Sequence, residues 1–390
     1  MSSPTLDRAA DQERPRRRNR ERAERIPLEA GCLTDQSRQL AENLRSRVIG
    51  QDDAIDTLVC SFARLISGLR DPGRPVLTVL MLGPTGVGKT ETARALAHTL
   101  FGSERALTRV NCEEYAHGHE LSKLLGSPPG YVGYQIEPLL SQRRLDAAHK
   151  RALDDGTGLL GEGHVELNRA FPAAEGRHLS VALFDEIEKA HPLVWNALLG
   201  MLDDGMLTLG DNRTTDFTRS IILATSNVGS REMSDLLEHS PMGFARNEEE
   251  QGSRDLSATA LAAARNAFPL EFLNRFDEVL VYSALQPEHL GAILDKLLQD
   301  VQRRSLEQAR CPLLLKVSDS GRQRIIESGT DLRFGARPLR RAVERLLVDP
   351  LSRLIAAREL EPGDVVEIEA GETGLRLFRS AEPRGRVIVA

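Results

Sequence analysis

Aromatic side chains make up only 4% of this chain, with a single tryptophan and four tyrosines, and it holds four cysteines. Cys32, Cys60, Cys112 and Cys311 stand far apart with no CxxC pair. Neither a zinc knuckle nor a disulfide framework is therefore indicated, and a reducing cytoplasm is the expected setting. No apolar run approaches the roughly 18 residues that a membrane-spanning helix needs. The Arg-rich N-terminus lacks the apolar stretch of a secretory leader. Positive charge is not in excess either. Fifty-one basic against 57 acidic residues leave a net charge of -6, which argues against a protein built to coat nucleic acid, although a local basic patch would escape the count.

What is present is ordinary globular material, 41% hydrophobic and 28% charged, in a length of 390 residues that suits two or three domains. Residues 1–28 are polar and charged, too poor in apolar groups to offset their ordering entropy; they suit a solvated tail or a basic docking arm. From Leu33 to Arg70 apolar residues fall at helical spacing and stop at the sequence DPGRP. Short apolar segments follow at Val76–Leu82, Leu107–Val110, Val181–Phe184, Ile221–Ala224 and Val279–Tyr282, alternating with helical stretches. This pattern predicts an α/β domain with a parallel sheet wrapped by helices, over residues 29–284. Beyond Leu285 the steps of three and four from Leu290 to Val301 predict a long amphipathic helix. Val365–Glu369, Leu375–Phe378 and Val387–Val389 predict a short terminal sheet in a smaller, mainly helical domain, 285–390.

Val76–Leu82 runs into Gly83-Pro84-Thr85-Gly86-Val87-Gly88-Lys89-Thr90 and then into a helical stretch. This is G-x-x-x-x-G-K-T with a strand before it and a helix after it, the context a phosphate-binding loop requires. Glycines let backbone N–H groups close on phosphate oxygens, and the helix N-terminus adds a favourable dipole. Lys89 is expected to neutralise the β- and γ-phosphates of ATP, with the Thr90 hydroxyl on Mg2+. A buried strand delivers Asp185 and Glu186 at its carboxyl end, where ligands of open α/β sheets bind. Asp185 suits the Mg2+ shell and Glu186 suits a base that takes a proton from water, so hydrolysis is implied. A third strand ends in Thr225-Ser226-Asn227; Asn227 suits either orientation of the lytic water and γ-phosphate or a plain turn.

On these motifs the chain resembles the AAA+ P-loop NTPases, and among them the second ATPase module of the Clp disaggregases and protease-unfoldases, over about residues 33–380. The segment RVIGQDDAI (47–55) is similar to the family's lead-in and implies that Val48 and Ile49 flank the adenine. Phe272-Leu273-Asn274-Arg275-Phe276-Asp277 is similar to the arginine-finger element, implying that Arg275 reaches the nucleotide of a neighbouring subunit. Gly335-Ala336-Arg337-Pro338-Leu339 is similar to the second sensor, with Arg337 reading the nucleotide from the small domain. An arginine supplied in trans can contribute about a thousandfold or more to phosphoryl transfer.

Two of the four tyrosines fall in the loop Ser127-Pro128-Pro129-Gly130-Tyr131-Val132-Gly133-Tyr134. Glycines loosen the loop, and Tyr131-Val132 offers a grip indifferent to sequence. The resemblance makes it the axial pore loop of an unfoldase, implying a homo-oligomer, a hexamer, that threads protein substrates, with no nucleic acid and no membrane among its partners. The family's N-terminal adaptor domain and first ATPase module do not appear in this sequence. Residues 138–174 read as an insertion, either a neutral surface addition or a private partner site. Met242-Gly243-Phe244 falls where peptidase-binding members carry a docking tripeptide, so a Clp-type peptidase or an adaptor is a further expected partner. Two other classes stay open: a nucleotide-dependent scaffold and a nucleic-acid motor.

Overall fold

The computed structural model describes residues 34–380, apart from 68, 129, 132–133, 162–177, 234–245, 308, 310, 332–334 and 373. The tail 1–28, Val132, the Met242-Gly243-Phe244 tripeptide and the expected strand Val387–Val389 lie outside the described residues.

Ten strands occur among the described residues: β1 Leu77–Leu82, β2 Leu107–Asn111, β3 Ser180–Asp185, β4 Met206–Thr208, β5 Thr214–Asp216, β6 Ser220–Ser226, β7 Glu278–Val281, β8 Leu314–Val317, β9 Val365–Ala370 and β10 Leu375–Arg379. Five of them build one parallel sheet in the order β2-β3-β6-β1-β7. Every residue of β1, β3 and β6 is buried, as near-continuous apolar runs require when both faces of a sheet are covered. The chain leaves β1, crosses to the edge at β2 and returns through β3 and β6. That path sets the carboxyl ends of β1, β6 and β3 side by side, the crevice where open α/β sheets bind ligands.

Helices cover the sheet. The helical stretch before β1 is two helices, α1 (Asp35–Arg47) and α2 (Asp52–Ser67), packed on each other. Gly50 between them has φ +72°, and a Cβ there would lie 2.5 Å from the His289 ring, so only glycine lets the chain turn at this point. α3 (Lys89–Phe101) follows the phosphate-loop sequence and packs on α1. α4 (Gln142–Asp155) occupies the early part of the expected insertion; its Leu145, Asp146, His149 and Ala152 are buried. α5 (Pro192–Asp204) lays Val194, Leu198, Met201 and Leu202 on the core that includes Leu80, Phe184 and Ile222. α6 (Arg246–Ala267) ends beside an aromatic group in which Trp195 and Phe268 meet edge-on at 5.3 Å. The hairpin β4–β5 precedes β6 and was not foreseen from sequence.

A second core follows β7. It gathers Leu290, Leu294 and Val301 of α7 (Pro287–Glu307), Ile325 of α8 (Asp319–Gly329), Leu339 of α9 (Arg337–Val343), and Ile368. Its sheet runs β10-β9-β8, with β9 and β10 antiparallel and β8 parallel to β9. The strand beside β9 is thus Leu314–Val317, a partner the sequence reading left out. The connection into this half is clamped by one amide. Gln51 Nε2 donates to the Ser283 carbonyl at 3.0 Å and Gln51 Oε1 accepts from the Ser283 N–H at 3.1 Å. Among the described residues no helix is long and apolar enough to cross a membrane.

Candidate nucleotide-binding site

β1 ends at Leu82, and the next residues turn back over the sheet edge before α3 begins at Lys89. Gly83, Gly86 and Gly88 all have positive φ (146°, 80° and 118°), backbone that side-chain-bearing residues avoid. A Cβ on Gly83 would lie 2.6 Å from the carbonyl oxygen of Tyr282, against backbone that cannot yield. One on Gly88 would meet Val48 at 3.2 Å, which shows how closely the residue before Ile49 approaches the loop. Thr85, Gly86, Val87 and Gly88 line the cleft in front of this turn; Gly83 and Pro84, expected there too, do not line it, and their carbonyls accept from Lys89.

Lys89 is buried beneath the loop. Its ammonium donates to the carbonyls of Gly83 and Pro84 (2.7 Å for the latter) and to Asn227 Oδ1 at 2.9 Å. Burial lowers its pKa to about 8, against the opposing pull of Glu188, Asp185 and Glu186. Asp185 is buried at the end of β3. Its Oδ1 accepts from Thr90 Oγ1 at 3.1 Å and from Thr225 Oγ1 at 2.6 Å; its Oδ2 accepts from Arg109 Nε at 3.1 Å and Nη2 at 2.6 Å. Glu186 follows in the left-handed region, φ 57° and ψ 52°, an uncommon conformation for a residue with a side chain and one that collects at functional sites. Its N–H donates to Thr225 Oγ1 at 2.9 Å, and its carboxylate meets Lys189 Nζ at 2.5 Å and Asn227 Nδ2 at 3.3 Å. Asn227, at the end of β6, therefore touches both the lysine and the glutamate. Its own N–H is held by Glu188 Oε1 at 3.0 Å.

The small domain closes the far side. Ala336 N–H donates to the Gly86 carbonyl at 3.0 Å, and Gly335 (φ +60°) has no room for a Cβ, which would sit 2.5 Å from that same oxygen. The Lys296 ammonium of α7 reaches the Arg47 carbonyl and lies 3.8 Å from Glu91. The resulting cleft, of about 440 Å³, is lined by Val48 and Ile49 at one end, by Thr85–Thr90, Asp185, Glu186 and Asn227 along the floor, and by Leu285, Ile293 and Arg337 on the small-domain side. Apolar residues at one end and an ammonium, hydroxyl and carboxylates at the other suit a base joined to phosphates. The Thr90 hydroxyl and the Asp185 carboxylate, hard oxygen donors in contact at 3.1 Å, suit a small divalent cation.

Two of the expected site residues stand elsewhere. Arg275 does not line this cleft; it is paired with Asp203 at 3.1 Å, and its buried Nε has no partner among the described residues. Tyr131 projects into solvent, 71% exposed. Conversely, Arg109 and Thr225 hold Asp185, and Lys189 holds Glu186, yet none of these stood out in the sequence.

A family model described as "AAA domain (Cdc48 subfamily)" matches residues 74–146 and 167–279, and one described as the C-terminal, D2-small domain of ClpB protein matches 285–368. The chain belongs to the AAA+ ATPases of the Clp family. Chaperone protein ClpB of Oceanobacillus iheyensis is 38% identical over 341 residues, covering 87% of this chain and 38% of that protein. ATP-dependent Clp protease ATP-binding subunit ClpC of Staphylococcus aureus (strain USA300) is 40% identical over 332 residues, 85% of this chain and 36% of that one. Among solved structures, the S. cerevisiae Hsp104:casein complex superposes with a TM-score of 0.70 at 28% identity, over 89% of this chain and 53% of that chain. The chain thus spans under two fifths of the length of these two Clp relatives. The similarity carries the AAA+ fold and nucleotide binding. Residues 147–166 fall outside the family match, within the stretch read as an insertion.

The buried Lys89 gives this Clp-family site a definite pH response. With its pKa lowered to about 8, the ammonium is charged well below that pH and loses its proton as pH rises through it. Bound phosphate favours the charged form, so binding above pH 8 must take up a proton. Affinity for a fluorescent ADP analogue should be flat from pH 6.5 to 7.5 and fall by up to about tenfold per unit above 8. Equal affinity at pH 7 and 9.5 would contradict the assignment.

Proposed function

We propose that this chain is the motor of a protein unfoldase: it hydrolyses ATP with Mg2+ as part of a ring, a hexamer, and uses the cycle to pull polypeptide through the ring's channel. On this reading residues 29–284 form the ATPase domain and 285–390 its lid. The P-loop from Gly83 to Thr90 encloses the phosphates, with Val48 and Ile49 on the adenine. Thr90 and Asp185 hold Mg2+, which neutralises charge on the phosphates. Glu186 accepts the proton of the attacking water, and Asn227, bonded to both Glu186 and Lys89, fixes that water relative to the γ-phosphate. Arg337 senses the γ-phosphate from the lid. Arg275 serves the neighbouring subunit's site, which accords with its position outside the cleft of its own chain.

The observation that carries the threading part is the state of the aromatic loop. Tyr115 and Tyr282 are buried, but Tyr131, Tyr134 and Ile136 are 71%, 47% and 72% exposed, close together in sequence. Large apolar groups left in water in one short stretch mark a surface meant to touch something. With Val132, Tyr131 would grip the moving chain. Hsp104 in complex with casein is a relative's case of the same kind. The setting is cytoplasmic, in keeping with Cys60, Cys112 and Cys311 as free thiols.

The relationship to ClpC favours a second reading, in which the threaded chain is delivered to a Clp-type peptidase or supplied by an adaptor. A nucleic-acid motor fits poorly with the acidic balance, and its binding would weaken steeply with salt.

Glu186→Gln should still bind ATP and assemble while turning over at least about tenfold more slowly in a phosphate-release assay; near-normal turnover removes Glu186 from its role. Tyr131→Ala should keep its ATPase rate and lose unfolding of a tagged fluorescent protein. Full unfolding by that variant removes Tyr131 from the grip, whereas a wild-type chain that hydrolyses ATP and assembles without unfolding the protein would point instead to a nucleotide-dependent scaffold.

A further inference from the structure

Asp185 is 5% exposed, the last residue of a strand buried along its whole length. A carboxylate so placed depends on protein donors, since a buried charge left without partners is strongly unfavourable. It has four: Thr90 and Thr225 on Oδ1, and Nε and Nη2 of Arg109 on Oδ2. An ionised carboxylate offers about four acceptor positions. Asp185 is therefore saturated, and a cation can approach it only by displacing a donor.

The donors differ in their freedom to leave. Thr225 is buried, and its hydroxyl oxygen also accepts the Glu186 N–H. Thr90 sits in the first turn of α3 beside the buried Lys89, on backbone fixed by the helix. Arg109 belongs to β2, the edge strand, which pairs only with β3. Asn111 stands opposite Asp185 in that register, so Arg109, two residues earlier on the same face, reaches Asp185 with a long arm. Its side chain is 47% exposed and lines the cleft.

We propose that Arg109 is an exchangeable counterion for the metal at Asp185. Without metal the guanidinium holds the carboxylate; a Mg2+ ion held by Asp185 would take Oδ2 in its place. Asp185 is neutralised in both states, which keeps the site assembled between turnovers. Arg109 is thus a positioning residue whose effect is on metal coupling. The inference rests on the reading of this cleft as a Mg2+-nucleotide site.

Because the guanidinium and the metal compete for one oxygen, removing the first must strengthen the second. Binding of a fluorescent ADP analogue, titrated in EDTA and over a Mg2+ series, tests this on the full chain. Arg109→Met should lower the Mg2+ concentration at half-effect by about tenfold, and weaken metal-free nucleotide binding several-fold. Arg109→Lys, which keeps the charge without the planar fork, should fall between. A purely structural arginine would shift both affinities together and leave their ratio unchanged. An unchanged Mg2+ dependence in Arg109→Met that still binds nucleotide overturns the proposal. If circular dichroism shows that variant unfolded, an Arg109→Lys curve superposing on wild type overturns it. Failure of the wild-type chain to bind the analogue under any condition would instead sink the nucleotide-site reading.

Discussion

A buried ammonium without a carboxylate in contact is the constraint on which this site is built. Lys89 is held by two carbonyls and an amide oxygen, and burial alone would strip its proton well below the usual lysine range. The field of Glu188, Asp185 and Glu186 opposes that loss. Those three carboxylates come from the end of β3 and the turn after it, and the amide comes from the end of β6. The strand order β3-β6-β1 is therefore an electrostatic requirement as well as a topological one. Moving any of these strands would separate Lys89 from the acids that favour its charge or from the amide it donates to.

The same network explains how chemistry is connected to motion. Glu186, Asn227 and Lys89 form one hydrogen-bonded chain from the proposed base to the phosphate loop. The loop in turn is tied to the small domain through Gly86 and Ala336, where Gly335 leaves no space for a side chain. Lys296 makes a second tie, from α7 to the Arg47 carbonyl just before the cleft-lining Val48 and Ile49. Nucleotide entering the cleft thus touches both domains at once, and a change at the phosphates has a short mechanical route to the lid.

Much of this was legible in the sequence because it is local. The phosphate loop is a contiguous run between a strand and a helix, and Asp185-Glu186 close an unbroken apolar strand. Arg109 and Thr225 were not legible, because their importance comes from register: each is an ordinary strand residue until β2-β3 and β3-β6 pairing sets it against Asp185. The same non-locality hid Leu314–Val317, whose pairing with β9 joins residues some fifty positions apart. The hairpin β4–β5 was missed because its three-residue strands, MLT and TTD, are too short to show a period. The break between α1 and α2 rests on Gly50, whose need for a bare backbone comes from His289, far along the chain.

The central claim is that nucleotide at Lys89 is mechanically coupled to the small domain. Hydrogen–deuterium exchange with and without a slowly hydrolysed ATP analogue and Mg2+ measures that most directly. The coupled site predicts slower exchange together in three segments: the phosphate loop 83–90, the cleft-lining 47–51 and the small-domain segment 335–343. Protection confined to 83–90, with the lid exchanging as fast as in the free protein, would contradict it.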